Sequence, residues 1–432
     1  MATQFSIQAG KPWKARFFTI WGGQAISLLG SQLVQFALIW YLTVTTGSAT
    51  VLATAALIGM LPGVVLGPLV GTLVDRWNRR WIMLLADGSV ALATIVLALV
   101  FALDVAALWH IYALMFIRSL AGGFHGHAMN ASTSLMVPVE QLTRIQGINQ
   151  MLTGGLNVVA APLGALLLDL LPLQGILAID VITALLAILP LCVICIPQPE
   201  QTRRAAGQSA VQATVWQDFK AGVRYMLGWP GLLIIGLMTV GINFTIIPAF
   251  ALLPLLVRDY FGGNAIQLGW VEAAMGIGIL LGGALLGVWG GFTRKILTSM
   301  LGLMGMGAGT LILALAPSSA LPLAVAGALL VGLMNSMTMG PFFAVIQSTV
   351  EPAMQARIFS LLSSIGGGMA PIGLLIAGPV ADQVGMHAWF FLGGSLCIVM
   401  GITGLCIPAV MNIEAERAVQ FEPLAPVAEQ IV

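Results

Sequence analysis

Long apolar runs, separated by short polar segments, constrain this chain more than any other feature of its sequence. Each run is long enough to cross the hydrocarbon core of a bilayer as a helix, which takes about 20 residues. Charged residues make up 8% of the 432-residue chain, whereas a soluble domain carries about 25%. A water-compatible surface is therefore excluded, and the sequence predicts a polytopic membrane protein.

Each apolar run is expected to be a helix, because lipid offers the backbone no hydrogen-bond partner. Twelve spans are predicted, over residues 17–42, 50–74, 81–103, 108–134, 145–169, 175–196, 231–257, 266–291, 296–316, 320–346, 358–381 and 385–411. The expected domains are a six-helix bundle over 1–196, a cytoplasmic linker over 197–230, a second six-helix bundle over 231–411 and a disordered tail over 412–432.

The two halves of the chain are weakly similar to each other. One constant shift superposes Arg144 on Arg357 and Asp169 on Asp382. Two related six-helix halves are typical of transporters whose substrate site lies between the halves. The fold expected is therefore an all-α membrane protein with 12 transmembrane helices in two pseudo-twofold-related bundles.

The distribution of basic residues predicts the orientation in the membrane. If the N-terminus is inside, all 17 lysines and arginines except Arg118 and Arg258 belong to the cytoplasmic side. Both termini are thus expected in the cytoplasm, with the chain in the plasma (inner) membrane. In the linker, WQDFKAGVRYML predicts a short amphipathic helix at the cytoplasmic interface. A net charge of +1 gives no reason to expect a nucleic-acid partner.

The densest charge cluster is GPLVGTLVDRWNRRWIM, between spans 2 and 3. It resembles the signature loop of the major facilitator superfamily, and the matching residues are Gly71, Leu73, Asp75, Arg76, Arg79 and Arg80. Asn78 stands where glycine is usual, and asparagine also tolerates a left-handed turn. More narrowly, SLLGSQLVQFALIWYLT and TGSATVLATA are similar to the macrolide-efflux branch of drug exporters.

A second motif of the family is GGLNVVAAPLG in span 5, which resembles the glycine–proline motif of its antiporters. The matching residues are Gly155, Pro162 and Gly164, whereas Ala161 replaces a glycine. The resemblance implies that these residues lie at an interface between helices.

The resemblance also implies that the loop between spans 2 and 3 is a cytoplasmic latch between the halves. Asp75 would lie at the N-terminal end of span 11, where the helix dipole stabilises a carboxylate by about 0.3–1 kcal/mol. The arginines would hold acidic or carbonyl partners, and the latch would stabilise the outward-open state. The alternative is that the arginines serve membrane topology alone. The latch residues are Gly71, Asp75, Arg76, Arg79, Arg80 and Asp87, the last expected to pair with the basic loop.

Apart from Asp169 at the last position of span 5, four charged residues lie within the predicted spans, namely Asp87, Arg118, Asp180 and Glu272. Each costs about 2.5–3.5 kcal/mol on insertion scales, which makes each a candidate functional residue. Glu272 shares a helix face with Gly276, Gly283 and Gly287. The expected proton carriers are Glu272 first and Asp180 second, and Arg118, a fixed positive charge, would tune a carboxylate or bind substrate. A structural hydrogen bond is the alternative for Asp180.

Uncharged polar residues predict where the substrate cavity lies. Four spans carry them at helical spacing: Gln24, Ser31 and Gln35 in span 1, His125 in span 4, Thr239 and Asn243 in span 7, and Asn335 and Thr338 in span 10. The alternative is helix–helix hydrogen bonding, worth about 0.6 kcal/mol per bond. Methionines and phenylalanines in spans 7 and 10 suit bulky amphipathic ligands.

These features together predict a monomeric secondary transporter that exports macrolide-like amphipathic compounds in exchange for protons. No metal or other cofactor is expected, and no phosphate-binding loop is found. A siderophore or metabolite exporter of the same fold is the alternative. A membrane enzyme would need clustered acid–base or metal groups, and a receptor would need neither related halves nor a latch.

Overall fold

The computed structural model describes residues 13–194, 196 and 215–414, and within helices it leaves out the side chains of residues 68, 69, 71, 72, 75, 76, 139, 143, 215–219, 221, 352, 353 and 356. The first half contains α1 (Trp13–Thr46), α2 (Ala49–Arg76), α3 (Arg79–Ala102), α4 (Leu108–Met136), α5 (Val139–Leu170) and α6 (Leu173–Val193). The linker contains α7 (Val215–Leu227). The second half contains α8 (Pro230–Ala251), α9 (Leu253–Leu255), a π turn (Leu256–Tyr260), α10 (Ala265–Trp289), α11 (Lys295–Leu315), α12 (Leu321–Thr349), α13 (Pro352–Val384), α14 (Met386–Cys406) and α15 (Pro408–Met411).

Among the described residues, twelve helices are at least 21 residues long, and they correspond to the twelve predicted spans. Eleven of them are both long and apolar enough to cross a membrane. The remaining helix, α4, has 29 residues, but Arg118 and three histidines make it more polar. Its place in the bundle therefore rests on packing against α2 and α3.

The two halves pack by the same scheme, which confirms the predicted pseudo-twofold arrangement. In the first half α1 contacts α5 and α6, α3 contacts α4 and α6, and α2 contacts α4. In the second half α8 contacts α13 and α14, α11 contacts α12 and α14, and α10 contacts α12. The main contacts between halves are likewise a symmetric pair, α5 with α10 and α13 with α2.

Span 7 was predicted to continue to residue 257, but α8 ends at Ala251. Pro248 and Pro254 each lack a backbone N–H, which weakens the helical ladder here. The chain continues through the short α9 and the π turn. In this turn Arg258 donates a 2.7 Å hydrogen bond to the Thr43 carbonyl, near the end of α1 in the other half.

Asn78 corrects a detail of the motif comparison. Its φ is −68°, so it does not adopt the left-handed turn that the usual glycine would allow. Instead its side chain accepts a hydrogen bond from the Arg80 backbone N–H and caps the N-terminus of α3. Asparagine is among the best N-cap residues, which explains its presence here.

The linker helix α7 packs on the second half rather than lying alone. Gly222 of α7 faces Leu361 and the Arg357 carbonyl of α13. The predicted amphipathic helix is thus attached to α13, one of the helices that contact the first half. The rest of the predicted linker, 197–214, and the tail from 415 onward lie outside the described residues.

Candidate functional site

At one end of the molecule the two halves are in close contact. A methyl group added at Gly276 of α10 would lie 2.8 Å from the Asn157 carbonyl oxygen of α5, and one at Gly269 would lie 3.1 Å from the Pro162 Cα. On the symmetric pair, a methyl group at Gly378 of α13 would lie 2.7 Å from the Thr50 Cα of α2. We call this the closed end.

Toward the other end the same helices separate. Gly283 and Gly287 continue the helix face of Gly269 and Gly276, yet no described atom lies within 4 Å of a methyl group built on either. Gly367 continues the face of Gly378 and is equally unobstructed. We call this the open end. The halves therefore enclose a cleft that is shut at one end and accessible from the other.

A single carboxylate joins the halves at the closed end. Asp382, near the end of α13, accepts hydrogen bonds from the Ala49 and Thr50 backbone N–H groups (2.7 and 3.0 Å). It also accepts from the Ser48 and Thr50 hydroxyls (3.1 and 2.6 Å). These groups form the N-terminus of α2, where the helix dipole favours a negative charge. The pseudo-equivalent Asp169 of α5 is exposed and makes no such contact among the described residues.

A buried ion pair lies inside the first half. Arg118 of α4 donates to Asp180 of α6 at 2.7 Å, and Asp180 is 1% exposed. Thr94 and Ser31 donate to the same carboxylate at 3.1 and 3.3 Å. The second Arg118 amino group donates to the Ser31 carbonyl at 2.9 Å. The network ties α1, α3, α4 and α6 together. Asp180 thus makes the hydrogen bonds expected under the structural alternative, and its role as a proton carrier stays a prediction.

Asp87 does not pair with the basic loop, contrary to the prediction. It accepts a 2.9 Å hydrogen bond from the Gln24 side-chain amide. Its other oxygen lies 3.5 Å from His125 Nε2. These residues line a cavity of about 160 Å³, together with Ser27, Ser31, Arg118 and Gly122. Asp87 was predicted near the loop because both are close to one membrane face, but α3 turns the carboxylate toward α1 and α4.

Glu272 faces a different cavity, between the halves. This cavity of about 300 Å³ is lined by α1, α5 and α10, and it contains Gln32, Gln35 and Asn157 beside Glu272. Among the described residues the Glu272 carboxylate makes no hydrogen bond or ion pair. A carboxylate from one half is therefore presented to amide side chains of the other half, without a charged partner.

The second half contains an aromatic cavity of about 320 Å³ among α8, α11, α12 and α13. Thr239, Asn243 and Thr338 line it, whereas Asn335 does not. The apolar lining includes Met238, Met339, Phe342, Phe343 and Phe359. Thr239, Asn243 and Thr338 each donate to a carbonyl of their own helix, at 2.8–3.0 Å. The cavity surface therefore has few free donors, and its character is apolar and aromatic.

The polar stripe of span 1 is divided between two sites. Gln24 and Ser31 belong to the charged cluster inside the first half, whereas Gln35 lines the Glu272 cavity. The prediction that all three line one cavity is therefore wrong. Helix periodicity gives a shared face, but helices cross at an angle, so one face meets different neighbours along its length.

The arginines of the signature loop bind carbonyl oxygens of their own half. Arg79 donates to the Ala131 carbonyl of α4 at 2.8 Å, and Arg80 donates to the Leu191 and Cys192 carbonyls in the last turn of α6. A cation at a helix C-terminus is stabilised by the dipole. The side chains of Asp75 and Arg76 lie outside the described residues, as does the position of Gly71 relative to its neighbours.

The glycine–proline motif lies at two contacts. Pro162 and Ala161 of α5 face Gly269 of α10 at the closed end. Gly164 allows the Phe36 ring of α1 to approach, since an added methyl group would lie 3.0 Å from the ring. Gly155 is unobstructed. The motif thus shapes one side of the contact between halves.

Comparison with known proteins gives the family. The model of the Major Facilitator Superfamily matches residues 20–370 and 233–426. The chain belongs to this superfamily of transporters. It is 37% identical over 402 residues to macrolide efflux protein A of Streptococcus pyogenes, covering 93% of this chain and 98% of that protein. It is 24% identical to the multidrug efflux pump Tap of Mycolicibacterium fortuitum, covering 89% and 94%.

Solved structures agree on the fold. A peptide transporter, POT, in complex with sulfate superposes with a TM-score of 0.69 at 15% sequence identity, covering 92% of this chain and 95% of that one. The superfamily match and the apolar helices make the protein a multi-pass membrane transporter of a small-molecule substrate, with the predicted twelve-helix fold. The resemblance to macrolide exporters drawn from its motifs is confirmed.

Two contacts were missed by sequence reasoning. Asp382 directly follows a predicted span, which is typical of an ordinary solvated acid, although its alignment with Asp169 drew attention to both positions. The proximity of Asp87 and His125 was missed because they lie on different helices and no local spacing connects them. A charge in an apolar helix was the available signal for Asp87, but it does not name a partner.

Proposed function

We propose that the protein exports bulky amphipathic compounds, macrolide-like drugs among them, by proton-coupled alternating access. The observation that carries the proposal is a cleft between two related halves, shut at one end by glycine contacts and open at the other. Such a cleft suits a transporter that opens to one side at a time. The efflux names of the relatives support the substrate class.

The positive-inside rule assigns the two ends. The basic loops after α2 and before α11 lie at the open end. We therefore place this end and both termini on the cytoplasmic side of a bacterial plasma membrane. The structure then corresponds to a state that admits substrate from the cytoplasm. In the opposite state the open end closes, and Asp75 engages α13 as the latch that the signature motif implies.

The aromatic cavity is proposed as part of the substrate site. Flexible methionines and phenylalanine rings adapt to large ligands of varied shape. Thr239, Asn243 and Thr338 keep oxygen lone pairs that accept hydrogen bonds from a ligand. We propose that the protein acts as a monomer, because one chain contains both halves of the cleft.

Glu272 is proposed as a proton carrier. It has no charged partner among the described residues, and it faces the other half across a cavity. A carboxylate without a charged partner can take up a proton from the cavity and release it again during the cycle.

The test is drug susceptibility and energised dye efflux in an efflux-deficient bacterium. Wild type should protect against macrolides, and an uncoupler should abolish the protection. Glu272→Gln should fail at wild-type expression, whereas Asp169→Asn, an exposed acid outside the cavities, should behave as wild type. Absence of protection by wild type against any amphipathic compound would refute the proposed substrate class.

A further inference from the structure

We propose that Asp87 and His125 form a second proton-binding site, a dyad inside the first half that takes up one proton per transport cycle. Binding of the proton rests on the geometry of the cluster alone. Its role in transport rests on the proposed function, so the two parts need separate tests.

The two aspartates of this cluster differ in how many hydrogen-bond donors their carboxylates receive. Asp180 receives an arginine and two hydroxyl donors and is 1% exposed. Asp87 receives one neutral amide donor, from Gln24, and its side chain is 12% exposed toward a cavity. Asp180 is thus fixed by a permanent cation, whereas the charge partner of Asp87 is a histidine, whose own charge depends on a proton.

The cluster carries an unbalanced charge unless it binds a proton. Asp87 and Asp180 contribute two negative charges, and Arg118 contributes one positive charge. With neutral His125 the net charge is −1, in a region where an uncompensated charge is costly. One proton, on His125 or on Asp87, neutralises the cluster, and a second proton would charge it again. The stoichiometry expected is therefore one.

Among the residues that the structure describes, no other charged side chain lines this cavity. The helices packed on α3 around Asp87 are α4, which contributes Arg118 and His125, and α6, which contributes Asp180. From α1 the cavity receives the neutral Gln24, Ser27 and Ser31. The lining of the cavity includes no charged side chain from the described part of α2.

The geometry provides a path for a proton to reach the dyad and an atom that can bind it. The cavity of about 160 Å³ has room for a few water molecules, and Gly122 at its wall is exposed. His125 Nε2 is buried and makes no hydrogen bond. The 3.5 Å separation from Asp87 exceeds a normal hydrogen bond.

In the proton-transfer step, a hydronium ion in the cavity transfers its proton to His125 Nε2 and leaves as water. The resulting imidazolium then donates to Asp87, and such charge-assisted bonds are about 2.7–2.9 Å long. Uptake therefore draws α4 toward α3, and release to water reverses the step. No bond other than the one to the proton forms or breaks.

Infrared difference spectroscopy of the purified protein in nanodiscs tests proton binding without any substrate. The background for this experiment is Glu272→Gln, which removes the other proposed proton carrier. Between about pH 8 and about pH 5, its spectrum should contain a carboxyl or imidazolium component of one proton per chain. Asp87→Asn and His125→Gln should remove or displace it. Asp87→Glu, which keeps the acid, should restore it, and Asp169→Asn should leave it unchanged.

Proteoliposomes test the role in transport, with a radiolabelled macrolide as probe. Macrolide accumulation driven by an imposed proton gradient should be at least tenfold lower in Asp87→Asn than in wild type. Asp87→Asn should retain counterflow, which exchanges substrate without net proton movement and also shows that the variant is folded. Asp87→Glu should recover part of the accumulation.

The outcomes separate the claims. Infrared spectra of Asp87→Asn identical to those of the Glu272→Gln background would overturn the dyad, whatever the transport result. Wild-type gradient-driven accumulation by Asp87→Asn would overturn its role in coupling. If wild-type proteoliposomes neither accumulate nor exchange the macrolide, the proposed substrate fails, while the infrared result still decides whether the dyad binds a proton.

Discussion

The two halves share one packing scheme but differ in the chemistry of their interiors. In the first half α1, α3, α4 and α6 surround Arg118, Asp180, Asp87 and His125. The corresponding helices of the second half are α8, α11, α12 and α14, and they contain no acidic residue. Their only basic residues are Lys295, the first residue of α11, and His387, the second residue of α14. The cavity lined by three of these helices is formed by methionines, phenylalanines and neutral polar groups.

This difference suggests a division of labour within a symmetric fold. A charged cluster suits protons, whose binding is electrostatic, whereas an aromatic cavity suits the apolar surface of a large ligand. Symmetric packing supplies the same conformational change to both. Divergent side chains then place the Asp87–His125 dyad in the first half and the aromatic cavity in the second, with Glu272 of α10 facing the cleft between them.

The largest effect is expected from removing one member of the buried ion pair. Arg118→Met leaves Asp180 as an unpaired buried charge, which costs about 3–5 kcal/mol. Thermal unfolding in detergent should show a large loss of stability, and the double variant Arg118→Met with Asp180→Leu should regain much of it. If the single variant melts like wild type, the cluster is not the electrostatic core of the first half.

The contact between halves should respond in opposite ways to two glycine substitutions on one helix face. Gly276→Leu overpacks the closed end against Asn157, at a cost of about 1–3 kcal/mol, and should favour the outward-open state. Gly283→Leu meets open space here but should obstruct closure of the open end, and so favour the cytoplasm-facing state.

Distances between spin labels at the two ends measure both shifts. Equal distance distributions in the two variants would contradict alternating closure along this face. A shift in the same direction for both would do so too.

The aromatic cavity should control affinity rather than coupling. Phe342→Ala should weaken macrolide binding by about tenfold, or about 1.4 kcal/mol, because the ligand loses an aromatic surface. Radioligand binding to purified protein measures the change. Phe391→Ala is the matched control, since this ring is exposed on the outside of α14. Equal losses in both variants would show that the cavity is not the binding site.

The smallest effect compares two pseudo-equivalent acids. Asp382→Ala removes a carboxylate from the N-terminus of α2, where a negative charge is worth about 0.3–1 kcal/mol, and should open the closed end several-fold more often. Labelling of Ala53→Cys, a buried position beside Gly378, by an impermeant maleimide reports this opening in a background without the native cysteines. Asp169→Ala should leave the labelling rate of Ala53→Cys unchanged. Faster labelling in that variant would contradict the predicted difference between the two acids.

The spans were predictable because hydropathy is a local property. Each apolar run indicates its own membrane environment, and the run over 108–134 was long enough to predict even the more polar α4. The boundary of α8 was missed, because the effect of Pro248 and Pro254 depends on how the following residues pack. The family followed from a loop motif that needs no tertiary information.

The partners of the site residues were less predictable. Periodicity placed Gln24, Ser31 and Gln35 on one face, but only the tertiary arrangement shows that α1 presents this face to two different sites. The position of Asp87 in its span indicated the basic loop, whereas its rotation about α3 directs it to His125. Sequence gives the depth and face of a residue, but the neighbour on that face depends on helix crossing.

Macrolide counterflow in proteoliposomes, compared between Asp87→Asn and Phe342→Ala, tests the division between the halves most directly. Counterflow needs a substrate site and alternating access but no net proton movement. The account predicts that Asp87→Asn retains counterflow and that Phe342→Ala loses most of it at a macrolide concentration below saturation. Loss of counterflow in Asp87→Asn together with its retention in Phe342→Ala would contradict the account.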